Sequence, residues 1–232
     1  MEIQEFALRH LIAQLVFNRN QSVVIDRRGA LAAELHDLLG TSSASLEETA
    51  TEATTPDGLS KYRVGMAQLL AALHVDGFDE GGENIETFFR RGMELLKAPG
   101  LTRVVAHTSD VAAVASFDGL RDVLLESLSP SSSQVRDVVG VPLSDTGWLY
   151  DFRDDHQIVE VRFGPMHEEE LRRAFEAPDA TVFPAASLFI DVKVVLRVGD
   201  SEKDPLDLWA SALKQNRRIT NNLSTWLKEA LE

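Results

Sequence analysis

The sequence predicts an α+β fold: two related strand–strand–helix–strand–helix halves, a mainly antiparallel sheet with helices on one face, and a long C-terminal helix. Three observations predict it. The first is Gly147 to Pro165 (GWLYDFRDDHQIVEVRFGP), where two runs rich in aromatic and β-branched residues flank a polar turn and lead into a helix. The second is a match between Phe17–Gly29 and Phe152–Gly164, each spanning twelve positions; without a gap, Val23 falls on Ile158, Val24 on Val159, Arg27 on Arg162 and Gly29 on Gly164. The third is the C-terminal stretch from Pro205, where apolar residues recur at alternating spacings of three and four.

In chain order, Leu8 to Phe17 fits either a helix by its leucine spacing or a strand by its match to the later hairpin; the strand, from near Leu11, is favoured. A second strand is expected to end at Arg27-Arg28-Gly29, followed by a helix from Ala30 to Leu39 closed by Gly40, which tolerates left-handed backbone. Thr41 to Ser60 is rich in Thr, Ser and Glu and predicts a surface loop, with modification of its threonines as the sharper alternative. Tyr62 to Val75 is apolar on both alternating sets and predicts one buried strand, although its alanines also suit a helix. After the acidic glycine turn Asp76–Asn84, a helix to Lys97 aligns Ile85, Phe88, Phe89, Met93 and Leu96. Leu101 to His107 is a strand and Phe117 to Leu128 a helix.

Ser129-Pro130-Ser131-Ser132-Ser133 divides the chain into an N-terminal α+β half (1–128), a linker (129–146) and a C-terminal α+β half (147–232). In the second half, Val159, Val161 and Phe163 are the expected core face of their strand. In Ser187 to Val198 the core face is Leu188, Ile190, Val192, Val194 and Leu196. In the final helix, Leu206, Trp209, Leu213, Asn216, Thr220, Leu223, Leu227 and Ala230 form an apolar seam with a polar centre. It either lies across the chain's own sheet or pairs with a second copy or partner. Trp209, Leu213, Asn216, Arg217, Thr220, Leu223 and Leu227 are therefore the candidate interaction residues.

Composition narrows the function. An apolar content of 44% suffices for a full core, and no run of eighteen apolar residues exists to span a membrane. The acids of MEIQEFALRH replace the basic region of a secretory signal, and the absence of cysteine fits a cytoplasmic protein. A net charge of −14 argues against direct binding to nucleic acid or to anionic membranes. There is no nucleophile elbow, phosphate-binding loop or dinucleotide glycine fingerprint, so no catalytic residue, metal ligand or cofactor is assigned.

Asp151, Asp154, Asp155 and His156 are the richest local set of ligand-type side chains, yet turns favour Asp for backbone reasons alone. His74 and His107 sit at or near the ends of apolar strands, as satisfied core histidines would. Asp191 interrupts an apolar strand, at a solvated face, paired with Arg103 or Arg162, or in a catalytic role. The expectation is a non-catalytic cytoplasmic interaction or adaptor subunit with a protein partner or as a homo-oligomer. The alternatives are an acidic inhibitor that mimics nucleic acid, and a metal-dependent hydrolase built on the Asp151–His156 turn.

Thr102-Arg103-Val104-Val105, SLFIDVKVVL and DLWASALKQNRRIT follow an order that resembles a sporadically distributed, uncharacterised bacterial protein family of similar length, over about the last 130 residues. Ala106-His107-Thr108 stand where that family usually has an aromatic residue and an Asn. The resemblance implies a bacterial α+β protein from a mobile or defence-type gene context, and carries no activity.

Overall fold

The computed structural model describes residues 3–18, 22–74, 78–97, 100–128, 138, 146–176, 181–199 and 204–231; apart from 138 and 146 the linker 129–146 lies outside them, and side chains are described from residue 84 onward in the helix that begins at Phe78. Nine strands form one antiparallel sheet: β1 (Ala7–Phe17), β2 (Ser43–Leu46), β3 (Ala50–Thr54), β4 (Ser60–Gly65), β5 (Gln68–His74), β6 (Leu101–Ala113), β7 (Trp148–Arg153), β8 (Gln157–His167) and β9 (Ala186–Arg197). Their spatial order is β2-β3-β4-β5-β1-β6-β9-β8-β7. The helices are α1 (Val23–Asp26), α2 (Arg28–Leu39), α3 (Phe78–Leu95), α4 (Phe117–Leu128), α5 (Glu168–Phe175) and α6 (Pro205–Leu231). The fold is thus α+β with a long C-terminal helix.

Side-chain alternation decides which face is buried. On β8 and β9, Val159, Val161, Phe163, Leu188, Ile190, Val192 and Val194 are buried, as the period of two requires. They join Leu11, Leu15, Leu69, Val104, Phe88, Leu120 and Leu124 in one core between the sheet and helices α1–α4 and α6. The helix α5 is different. Its Leu171 and Phe175 pack with Val111, Phe183 and Phe189 in a separate small cluster on the opposite sheet face.

Three local expectations are corrected. Val23–Arg28 is not the second strand of a hairpin; it turns as α1 and runs into α2, with Arg27 N–H bonded to Val23 O and Leu31 N–H to Arg27 O. The reason is tertiary: β1 already has β5 on one edge and β6 on the other, so no edge is left for a hairpin partner. Thr41–Ser60 is not a plain loop but carries β2 and β3, whose inward Thr51 and Ala53 are too small and too weakly apolar to declare a strand. Tyr62–Val75 is not one strand: Gly65-Met66-Ala67 breaks it into the hairpin β4–β5. Gly40 ends α2 in left-handed backbone (φ 62°), as expected.

Because β1 pairs with β6, and β6 with β9, the sheet runs unbroken across the two halves read from the sequence. The topology does repeat, in a different frame. A central strand (β1 or β6) sends the chain through helix to the outer edge, from which it returns inward strand by strand, to β5 or to β9. This repeat begins at β6 rather than at Gly147, and of the two matched segments Val23–Gly29 is mainly helical where Ile158–Gly164 is strand.

The long helix α6 lies over β6 and β9, at the centre of the sheet. Arg217 on it makes two bonds to the buried carboxylate of Asp110, at 2.7 and 2.9 Å. Burial pushes the Asp110 pKa up, and Arg217 opposes that shift. Arg217→Met is expected to cost about 2–3 kcal/mol by urea unfolding at pH 7, because it strands a buried charge that partial solvent access only partly relieves. The deficit should shrink in acid, where Asp110 in the variant takes up a proton.

Candidate functional site

The sheet face away from the core is polar at its centre. Opposed residues of neighbouring strands share a face, so the registers bring His74, His10, Ser109, Asp191 and Arg162 into one row across β5, β1, β6, β9 and β8. Asp191 is 8% exposed and takes both His107 Nε2 (2.6 Å) and Ser109 Oγ (2.7 Å) on its Oδ1. An ionised carboxylate only accepts, so the Nε2–H of His107 is the donor in this bond. Burial alone would raise the Asp191 carboxyl, but the bonds and charge of His107, the Ser109 bond and the charge of Arg162 outweigh it and hold the pKa low. Of the two arginines weighed for this role, Arg162 acts only through its field, and Arg103 makes no bond to it.

His10 stacks between the His74 ring (5.1 Å between centroids) and Phe175 of α5 (5.4 Å). Burial, then the neighbouring imidazoles of His74 and His107, push its pKa down to about 3, against the pull of Asp191. His74 is lowered as well, by burial and by Lys61. Within the row the His10 and His74 rings are thus uncharged at neutral pH, beside the ionised Asp191. Ser109 donates its hydroxyl hydrogen bond to Asp191, so this carboxylate joins the His107 ring and the Ser109 hydroxyl across β6 and β9.

The Asp151–His156 stretch does not converge. Asp151 is bonded to Arg153 in a bidentate pair, which lowers its pKa. Asp154 accepts the N–H groups of His156 (2.7 Å) and Gln157 (2.8 Å), which lower its pKa and close the turn between β7 and β8. Among the described residues no group of three or more His, Asp or Glu side chains is arranged to hold a metal.

Of the candidate interaction residues on α6, Trp209, Asn216, Thr220 and Leu227 are buried under the chain's own sheet, and Leu213 and Leu223 are half-buried against the same core. Arg217 is held by Asp110. The seam is thus largely occupied within the chain, because the central β6 and β9 offer an apolar floor matching its spacing.

The surface that sequence reasoning missed lies at the sheet's edge. No strand lies beyond β7 among the described residues, and Leu149 (63% exposed), Tyr150 (46%) and Phe152 (58%) stand open on it. Trp226 of α6, 44% exposed and off the seam, completes the patch through edge contact with Phe163 (6.2 Å); Tyr150 and Trp148 stack on the same Phe163. At Gly164 the chain entering β7 passes so close that a Cβ would sit 3.0 Å from Thr146 O. The aromatic content of β7 was visible in the sequence; its place at the edge was not. Among the described residues no helix is long and apolar enough to cross a membrane. Comparison with protein-family models and with curated proteins finds no match to this chain.

Proposed function

We propose that this protein is a non-catalytic cytoplasmic interaction subunit, an adaptor that docks a protein partner on the β7 edge. The observation that carries the reading is the exposed aromatic strand itself. An open edge presents unpaired backbone N–H and C=O groups, and natural sheets normally shield such edges with charge, proline or a covering element. Here the charges of Asp151 and Arg153 pair with each other, while Tyr150 and Phe152 stack along the edge, and Tyr150 and Trp226 both lie against Phe163. That combination suits addition of a partner strand, with backbone bonds for affinity and aromatic contacts for specificity.

The buried His–Asp–Ser row supports the same reading, since it ties strands together rather than facing a cleft. The charge pattern also favours an adaptor over a nucleic-acid mimic. A mimic needs rows of free carboxylates, whereas Glu47, Glu52, Asp151, Glu160, Glu168 and Glu169 are each engaged by an Arg or Lys.

A photo-crosslinking residue at position 152 of the full chain tests the proposal in cells. It is expected to give a covalent adduct with another polypeptide, and the same probe at Leu46 on β2 is expected to give none. No adduct at 152, or equal labelling at both edges, overturns it.

A further inference from the structure

We infer that the occupant of the β7 edge is a second copy of this chain, paired antiparallel across a twofold axis so that two nine-stranded sheets become one. The inference rests on β7 being a docking edge and adds the identity of what docks there. Three features lead to it.

The two ends of the sheet are built differently. β2 is four residues of Ser, Ala, Ser and Leu, a short and weakly apolar edge of the kind that discourages pairing. β7 has six residues and carries Trp148, Tyr150 and Phe152 on the helix-bearing side of the sheet.

The strand is complementary to itself. In an antiparallel pairing centred on Tyr150, that residue faces its own copy and Trp148 faces Phe152 of the second copy. Aromatic then opposes aromatic at each of the three positions, a favourable class of cross-strand pair. A twofold axis normal to the sheet keeps the helices of both copies on the same side. On the other face Leu149 lies beside the Asp151–Arg153 pair of the second copy, whose charges already neutralise each other.

The electrostatics of the edge also fit a like partner. The chain carries −14 in total, but the acids on β7 and on the strand beside it are matched: Asp151 by Arg153, and Glu160 by Lys193 at 3.2 Å and Arg162 at 3.9 Å; the turn acids Asp154 and Asp155 lie beyond the end of the strand. A basic partner would be drawn to the acidic remainder of the surface rather than to this balanced aromatic strip. Because each copy still bears its full negative charge, salt should tighten the dimer, the reverse of an association driven by opposite charges.

The test uses the full chain, which has no cysteine of its own. By sedimentation and light scattering it should show twice the 25.6 kDa chain mass, with a Kd that falls as salt rises. Tyr150→Cys should form a covalent dimer on mild oxidation, while Ser45→Cys on β2 should not. Tyr150→Lys combined with Phe152→Lys should weaken self-association by about 100-fold or more with unchanged circular dichroism. A wild-type monomer at all concentrations, a dimer that persists in the folded double variant, or a Kd that rises with salt overturns the inference. A monomer that still gives an intermolecular adduct from position 152 overturns the second copy alone. An adduct to residues 129–145 of the same chain overturns both the inference and the docking reading.

Discussion

Acidification from pH 6.5 to about 3 is expected to remove on the order of 5 kcal/mol of stability through His10 alone, at about 1.36 kcal/mol per unit of pKa shift. The sign follows from the direction of the shift. His10 is lowered from 6.5 to about 3 in the fold, so the unfolded chain takes up the proton first and is favoured throughout that window. The stabilisation is therefore complete above the unfolded value and lost as pH falls towards 3. The cause is packing: an imidazole largely buried between His74 and Phe175 is poorly solvated as a cation. Urea titrations at pH 7 and pH 4 read the loss directly. His10→Gln cannot protonate and should flatten most of the slope. What remains belongs to His74, also lowered, and below the usual Asp range to Asp191, Asp151 and Asp154, whose depressed carboxyls lose their stabilisation as they become protonated, while the raised Asp110 works in the opposite sense. An unchanged slope in His10→Gln would assign the acid lability to another group.

Asn216→Leu is expected to cost about 4 kcal/mol although it replaces a polar residue by an apolar one of similar volume in the middle of the core. Asn216, on the sheet-facing side of α6, is fully buried. Its Oδ1 accepts the Thr108 hydroxyl at 2.6 Å, and its Nδ2 donates to Ala106 O at 3.1 Å and Val192 O at 2.5 Å. One side chain thus ties the long helix to both central strands. Leucine would leave one hydroxyl and two carbonyl groups without these partners, far from solvent. Chemical unfolding measures the loss. Asn216→Leu combined with Thr108→Val should recover part of it, since the double variant removes one orphan group; no recovery would locate the cost in packing instead.

Much of the fold was legible where a single period ruled. Ser187–Val198 alternates so regularly that its core face could be named residue by residue, and Ile158–Phe163 likewise. The helix ending at Gly40 and the long terminal helix followed from the left-handed tolerance of glycine and from three-four spacing. The failures had a common origin. The Val23–Ile25 run carries three β-branched residues and looks like a strand, yet it is helical because β1 is already paired on both edges. The small inward residues of β3 gave no apolar signal at all.

The candidate site was less legible, for a related reason. The sequence by itself determined the α+β class, the alternation that separates a buried from an open sheet face, and the seam of α6 with its Asn and Thr. Only the tertiary structure decided that this seam lies on the chain's own β6 and β9, that Asp191 meets His107 and Ser109, and that β7 is an edge. Local periodicity records which side chains point together. Strand order depends instead on pairings between segments up to about a hundred residues apart, and no short stretch of sequence encodes them. The same aromatic strand would be core at the centre of the sheet; at its margin it is a surface.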